Sequence, residues 1–434
     1  LFLLVFMTIS NQPPKGTADW FPEEFQIRKY IFDTWRRVCA GYGYQEYLTP
    51  LVESADIYRA KSGEDIGGKE LMSFFDQAGR ELSIRPEMTP SVTRLVSQIY
   101  DSSPKPIRYF SIANFMRNEK PQRGRNREFW QLNVDVFGNK GETAELEILQ
   151  MALDIVLAFN PPQYAFILCL NHRQLIDAAV ALVSPDPSQN KSIISLMDKW
   201  QKMSWMDFSG AMAKLGVDED GLEKLQSFLS ATSVKELVTA LPELASNEGL
   251  MAIKQVMTDL ELLGYGEYLE FKPSIIRGFD YYDGLVFEMF DNHPDNKRAM
   301  FGGGRYNGLA GIFGAKSFPA VGFAPGDETT KLFLESWGLL DQIKKESKVE
   351  RYYVPLLSEK LRLKTMRLAQ NLRSDGKVVE LGLEEQKLNK ALEYANKSGA
   401  DKVVIFGQYE DEMAMYKLKD MANGEEQECK WKNN

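Results

Sequence analysis

Histidine and cysteine are scarce in this chain, with two and three copies respectively among 434 residues. His172 and His293 lie far apart, which argues against a zinc centre built from histidine and cysteine. Cys39, Cys169 and Cys429 are odd in number and widely spaced. No disulfide framework is therefore expected, and the usage suits a reducing, cytoplasmic compartment. No stretch approaches the roughly 18 uninterrupted apolar residues of a membrane span. The apolar run at residues 1–7 is too short for a signal and lacks a basic leader. It reads as an extension ahead of a start at Met7, with a buried first strand as the alternative. Positive charge is also in deficit, because 52 Lys and Arg against 61 Asp and Glu leave −9. No global basic field marks a nucleic-acid binder, so any such partner must meet local patches.

What is present is ordinary globular material, 44% hydrophobic and 26% charged, in a length that suggests about two or three domains. Apolar residues at Ile27, Tyr30, Ile31, Trp35 and Val38 predict a helix over 25–40, stopped by Gly41-Tyr42-Gly43. Residues 45–52 and 80–85 read as strands, and 89–100 as a helix. Two strand runs, 107–115 and 129–137, flank a loop rich in Gly, Arg and Asn at 119–127, which predicts a long hairpin. A helix over 142–159 and a buried strand over 165–170 follow. Residues 184–264 are helical in texture and predict an insertion. Strand and glycine patterns return over 275–290, 302–304 and 320–324. After a polar linker at 341–349, strands alternate with helices, predicting a small α/β domain with a parallel sheet.

Four runs carry chemistry. The hairpin loop places Lys120, Arg123, Arg125 and Arg127 around Gly124, with Arg117 at the strand end. Guanidinium forks match phosphate oxygens, although a solvated hairpin tip explains the same letters. In Arg277-Gly278-Phe279-Asp280-Tyr281-Tyr282, strand alternation would put Arg277, Phe279 and Tyr281 on one face and Asp280 and Tyr282 on the other. A core tyrosine satisfied by Asp280 is the plain alternative. The run Phe301-Gly302-Gly303-Gly304-Arg305-Tyr306 lets another group approach bare backbone, yet it is neither a P-loop nor a Rossmann fingerprint. Finally, Gly322-Phe323-Ala324-Pro325-Gly326-Asp327-Glu328-Thr329 reads as strand, turn and helix start.

In this order the runs resemble the histidyl-tRNA synthetase family of class II aminoacyl-tRNA synthetases, and the resemblance extends over nearly the whole of residues 15–430. It implies an α+β fold: an antiparallel sheet flanked by helices, with a helical insertion and a C-terminal α/β anticodon-binding domain. The implied boundaries are 7–183 and 265–340 for the two catalytic parts, 184–264 for the insertion and 349–434 for the last domain. Pro50 stands at the family's dimer-interface proline, which implies a homodimer.

The implied reaction joins L-histidine to tRNA(His) through a histidyl-adenylate made from ATP. Arg117 and Arg277 are implied to flank the α-phosphate, and Mg²⁺ to be held mainly by ATP oxygens and carboxylates. Glu87, Thr89 and Gln131 are implied to meet the histidine ammonium. Asp135 and Tyr282, with Tyr281 adjacent, are implied to meet the imidazole, Asp135 replacing the family's usual Glu. Phe129 is the candidate for adenine stacking and Glu119 for an adenine or metal contact. Gln122, Arg123 and Arg125 are candidates for ATP or the tRNA acceptor end.

One position departs from the pattern. Thr329 stands where the family ordinarily has an arginine that pairs with the γ-phosphate and packs on adenine. Either another cation (Lys331, Arg305 or Arg125) serves, or ATP binds more weakly, or the chain is an inactive paralogue. An alternative function is a synthetase-like regulatory subunit of ATP phosphoribosyltransferase. Such subunits generally lack the C-terminal domain and degrade the Arg-Gly-x-Asp-Tyr-Tyr signature, and both are present here. A further reading is an RNA-binding or amidotransfer relative, supported only by Thr329. A scattered basic set in the last domain, including Lys360, Arg367 and Lys390, is available to tRNA, although most of it reads as solvated helix face.

Overall fold

Pro22 opens the helix Pro22–Gly41 at a position where its missing N–H costs nothing, and Glu23 and Glu24 suit the positive end of the helix dipole. Its buried stripe of Ile27, Ile31 and Trp35 packs into the main core, each side chain contributing on the order of 1.5–3 kcal/mol. The computed structural model describes residues 10–60, 65–276, 281–296, 298–341 and 349–431. Two compact units divide the chain, Leu1–Ile343 and Lys344–Asn434.

The first unit is built on eight strands: β1 (Gln45–Glu46), β5 (Ile107–Met116), β6 (Glu128–Phe137), β7 (Phe166–His172), β8 (Leu269–Phe271), β9 (Leu285–Asp291), β10 (Ala299–Arg305) and β11 (Ala320–Phe323). Their spatial order is β1-β5-β6-β11-β10-β9-β7-β8. The six central strands are antiparallel, and only the two edge pairs, β1 with β5 and β7 with β8, run parallel. A separate small sheet holds β2 (Val52–Ser54), β3 (Met72–Phe75) and β4 (Glu81–Ile84) in the order β2-β4-β3. The single strand expected over 45–52 is thus two short ones in different sheets. The chain leaves β5 after Glu46, and Pro50, which has no N–H to give a ladder, lies in the exposed link between them.

Residues 184–264 fold as helices, among them Asn190–Met197, Trp205–Lys214, Glu219–Ser230, Val234–Ala240 and Glu248–Leu262. Asp218, Ser233 and Asn247 each cap the following helix by accepting a backbone N–H. Phe208, Phe228 and Leu250 join the core that also contains the central strands.

The second unit has five strands, β12 (Arg351–Leu356), β13 (Val378–Glu385), β14 (Lys402–Ile405), β15 (Met415–Asp420) and β16 (Glu426–Lys430), in the order β13-β12-β14-β15-β16. The expected parallel pairing holds for β12, β13 and β14. The last two strands extend the sheet antiparallel, β15 beside β14 and β16 beside β15, and for the second pair a hairpin turn as short as 421–425 permits no other direction. Some of the basic residues here are paired within the unit: Lys364 meets Asp411 at 2.6 Å and Lys419 meets Glu426 at 2.9 Å.

Candidate active site

The longest antiparallel pair, β5 with β6, fixes the site. Its ten-residue register runs from Ile107 opposite Phe137 to Met116 opposite Glu128. Alternate residues of a strand share a face. Phe129, Gln131, Asn133 and Asp135 on β6 therefore point the same way, and all four line one cavity of about 590 Å³. That volume is in the usual range for a small-molecule site.

At the deep end lies Asp135, 4% exposed. The Tyr306 hydroxyl donates to its Oδ1. Burial nevertheless pushes the carboxyl up to about 7, and the Tyr306 bond offsets only part of that rise. The approach is tight, since a Cβ on Gly322 would lie 2.2 Å from Asp135 Oδ1 and 2.5 Å from the Val134 carbonyl. The same crowding accounts for the glycine run on β10. A Cβ on Gly303 would meet the Gly322 carbonyl at 2.2 Å, and one on Gly304 the Leu285 carbonyl at 2.5 Å and the Tyr282 ring at 2.8 Å. Those two glycines thus admit neighbouring strands and a site tyrosine, while Gly302 lines the cavity itself.

Tyr281 and Tyr282 both line the cavity, with ring centroids 4.8 Å apart. They sit in a turn ahead of β9 rather than in the expected strand, which lets neighbouring residues face one space. The Tyr281 hydroxyl donates to Glu87 Oε2 at 3.0 Å, and the anticipated contact with Asp280 falls outside the described residues. Arg277, Gly278, Phe279 and Asp280 lie outside the described residues.

Glu87 and Thr89 line the cavity where the chain enters the helix Thr89–Ile99. Arg85 holds that entry in place. Its Nε donates to the Asn114 carbonyl at 2.8 Å and its Nη1 to the Thr49 carbonyl at 2.9 Å. Arg117, at the end of β5, donates from Nε to the Pro86 carbonyl at 3.0 Å, and its guanidinium lies 5.1 Å from the Phe129 ring centroid. Burial pushes its pKa down, while Glu87, Glu70 and Glu119 act against that. An arginine stays charged under such a load. Arg117 is thus a fixed cation between the deep carboxylates and the hairpin loop.

In that loop Gln122 and Arg125 exchange backbone hydrogen bonds of 2.9 Å across Gly124, whose φ of +71° suits glycine. Arg125 lines the cavity and pairs with Glu119 at 2.7 Å. Gln122 and Arg123 stand outside the cavity wall, although Gln122 Oε1 accepts from Arg298. Across from the loop, Asp327 anchors the helix Asp327–Ser336. It is fully buried, bonded by Arg28, and accepts the Trp130 N–H at 2.9 Å. Thr329 lines the wall, and its hydroxyl donates to the Met300 carbonyl at 2.8 Å.

Sequence reasoning missed Tyr306, Asn133 and Arg298 as lining residues. Asn133 was findable, because it falls on the same period-2 face as Gln131 and Asp135. Tyr306 ends the glycine run, but nothing local pairs it with an aspartate 171 positions away. Asp198, Gln201 and Lys202 bring the helical segment to the same cavity.

A family profile described as Histidyl-tRNA synthetase matches residues 16–327. Among curated relatives, the histidine–tRNA ligase of Leptospira biflexa is 40% identical over 419 residues, covering 96% of this chain and 94% of that protein. The histidine–tRNA ligase of Pyrococcus furiosus is 34% identical, covering 96% of each. The crystal structure of histidyl-tRNA synthetase from Nostoc sp. PCC 7120 shares the fold with a TM-score of 0.78 at 22% identity, covering 98% and 97% of the two chains.

Proposed function

This chain belongs to the histidyl-tRNA synthetase family, and we propose that it joins L-histidine to tRNA(His) at the expense of ATP. The observation that carries the reading is the convergence, in one cavity, of a buried carboxylate–tyrosine pair with a fixed arginine and an aromatic face. In the first step the histidine carboxylate oxygen attacks the α-phosphorus, the bond to the bridging oxygen breaks, and pyrophosphate leaves. In the second, a terminal ribose hydroxyl of the tRNA takes the acyl group and AMP departs.

Two anions meet in the first step, so positive charge must be in place before they do. Arg117 supplies it from the hairpin side, and Arg277 is the proposed partner from the signature segment. Glu87, Thr89 and Gln131 receive the ammonium. Asp135 accepts from one imidazole nitrogen, and Tyr306 orients that carboxylate. Tyr282 faces the other nitrogen, supported by Tyr281. An apolar isostere in this slot would leave buried polar groups unpaired, a strong basis for rejection.

Phe129 offers its ring to adenine, and Thr329 packs on the nucleotide side. Glu119 and Arg125 stand near the phosphates, and Gln122 and Arg123 face the acceptor end. Mg²⁺ is hard and favours oxygen ligands. It would arrive with ATP, with Glu119 and Glu328 the nearby carboxylates, and would draw charge from the phosphates.

Homodimerisation through the Pro50 segment is part of the proposal. Leu48 and Leu51, 67% and 41% exposed in the single chain, are apolar surface on either side of Pro50. Sedimentation as a monomer at micromolar concentration would refute it. No described helix is long and apolar enough to cross a membrane, and a cytoplasmic location is proposed on the translation role. The regulatory-subunit alternative is not favoured, since the ligase relatives match along nearly the whole chain. Histidine-dependent ATP–pyrophosphate exchange tests the reading directly: wild type exchanges and Arg277→Ala does not. Histidine binding without exchange by the folded wild type would overturn it.

A further inference from the structure

A nucleoside triphosphate carries several negative charges, so the cations on the cavity wall decide where its phosphates rest. The helix Asp327–Ser336 offers none at its start. Arg28 pairs with Asp327 and Glu328, and Thr329 turns its hydroxyl back to the Met300 and Gly326 carbonyls, at 2.8 and 3.1 Å. Two of the cations named as replacements are engaged elsewhere. Lys331 reaches Glu24 at 3.1 Å and Glu335 at 3.6 Å, and Arg305 is buried against Glu145. Neither lines the cavity, whereas Arg125 does while pairing with Glu119.

Arg298 also lines it. It directly precedes β10, two residues before the carbonyl that holds Thr329, so the cation and the hydroxyl belong to one wall. Its Nη2 donates to Gln122 Oε1 in the hairpin loop. Burial raises the Glu119 carboxyl, and Arg298 joins Arg125 and Arg117 in opposing that rise. The guanidinium therefore sits at the loop end of the cavity. A neutral amide is a replaceable partner: phosphate oxygens make shorter, charge-assisted bonds to the same fork. Arg305, by contrast, could not turn to a ligand without stranding a buried carboxylate.

We propose that Arg298 binds the terminal phosphates of ATP and the departing pyrophosphate, supplying the charge that Thr329 does not. The inference rests on the ATP-dependent activation proposed above. Its test is pyrophosphate exchange by the full-length protein, with KM measured separately for ATP, pyrophosphate and histidine. Arg298→Ala is expected to raise KM for ATP and pyrophosphate about 10–100-fold, the worth of a hydrogen bond to a charged group, and to leave KM for histidine nearly unchanged. Arg298→Lys recovers part of the loss, and Thr329→Arg introduced into Arg298→Ala recovers most of it. A merely structural role would raise all three constants together. Unchanged ATP and pyrophosphate constants in an Arg298→Ala protein that still exchanges would overturn the assignment, as would failure of Thr329→Arg to rescue. Absence of exchange by wild type would instead overturn the functional reading itself.

Discussion

Asp135→Asn isolates the charge on which histidine recognition is proposed to depend. The carboxyl is buried, bonded by Tyr306, and titrates at about 7. Between pH 8 and pH 6 the ionised share of such a group falls from about nine-tenths to about one-tenth. Histidine affinity should fall with it, by close to tenfold. Asparagine keeps the shape and an acceptor oxygen but not the charge. At pH 8 it should weaken histidine binding by about 5–15-fold, the difference between a charged and a neutral acceptor. The ligand's own imidazole titrates near ~6.5 in both proteins, so the difference between their profiles belongs to Asp135.

The stability effect has the opposite sign. Burial raises the folded pKa above the ordinary 3.8, so the folded state holds this proton more tightly than the unfolded chain does. That stabilisation is complete below about pH 4 and is lost as pH rises through about 7. Free of ligand at pH 8, Asp135→Asn should therefore unfold at a higher temperature than wild type, the gap closing toward pH 4. Calorimetric histidine titrations from pH 5.5 to 8.5 and thermal melts check the two halves. Parallel binding profiles for wild type and variant would refute the reasoning.

Gly322→Ala places a Cβ 2.2 Å from Asp135 Oδ1 and 2.5 Å from a carbonyl that cannot yield. The resulting shift should raise KM for histidine by about a hundredfold, as misplacement of the order of 1 Å does, and an unaltered KM would show the slot to be roomier than described. Arg305→Ala strands buried Glu145 and should cost about 3–5 kcal/mol in urea unfolding, whereas Arg305→Met with Glu145→Leu costs far less. Equal losses would mean that the charge pair is not the reason. In an acidic protein that meets tRNA through local patches, KM for tRNA should climb steeply between 50 and 200 mM salt, as is common for about 6–10 phosphate contacts. The exchange reaction, which needs no tRNA, should respond little over the same range.

The hairpin was legible because its signals are local: two apolar runs flanking a glycine-bearing basic loop; Phe129, Gln131 and Asp135 are singled out by resemblance, and the strand's alternation puts them on one face. The helical segment over 184–264 showed itself the same way, through periodicity. What escaped were relations between distant segments. Tyr306 with Asp135, Tyr281 with Glu87, and Arg28 with Asp327 are pairings that only the sheet order creates. β3 went unread because its residues, Met72-Ser-Phe-Phe, are too few to establish a period, and β4 pairs with it by tertiary context. The division of 45–52 turned on Pro50, whose effect depends on which neighbour the backbone would have joined. The strand expected through Tyr281 and Tyr282 gave way to a turn because both rings face a single cavity.

The alternation along β6 has a consequence for how this site can change over generations. Its pleat works as a ruler, with marks about 6.8 Å apart at every second residue. A stacking face, an amide and an acid are read off the same edge. Loss or gain of one residue between Phe129 and Asp135 would not shorten the ruler but turn part of it over, delivering Val136 or Val134 where the acid belongs. Amino-acid choice in such a site can therefore drift by substitution, mark by mark, while its spacing is held all or nothing.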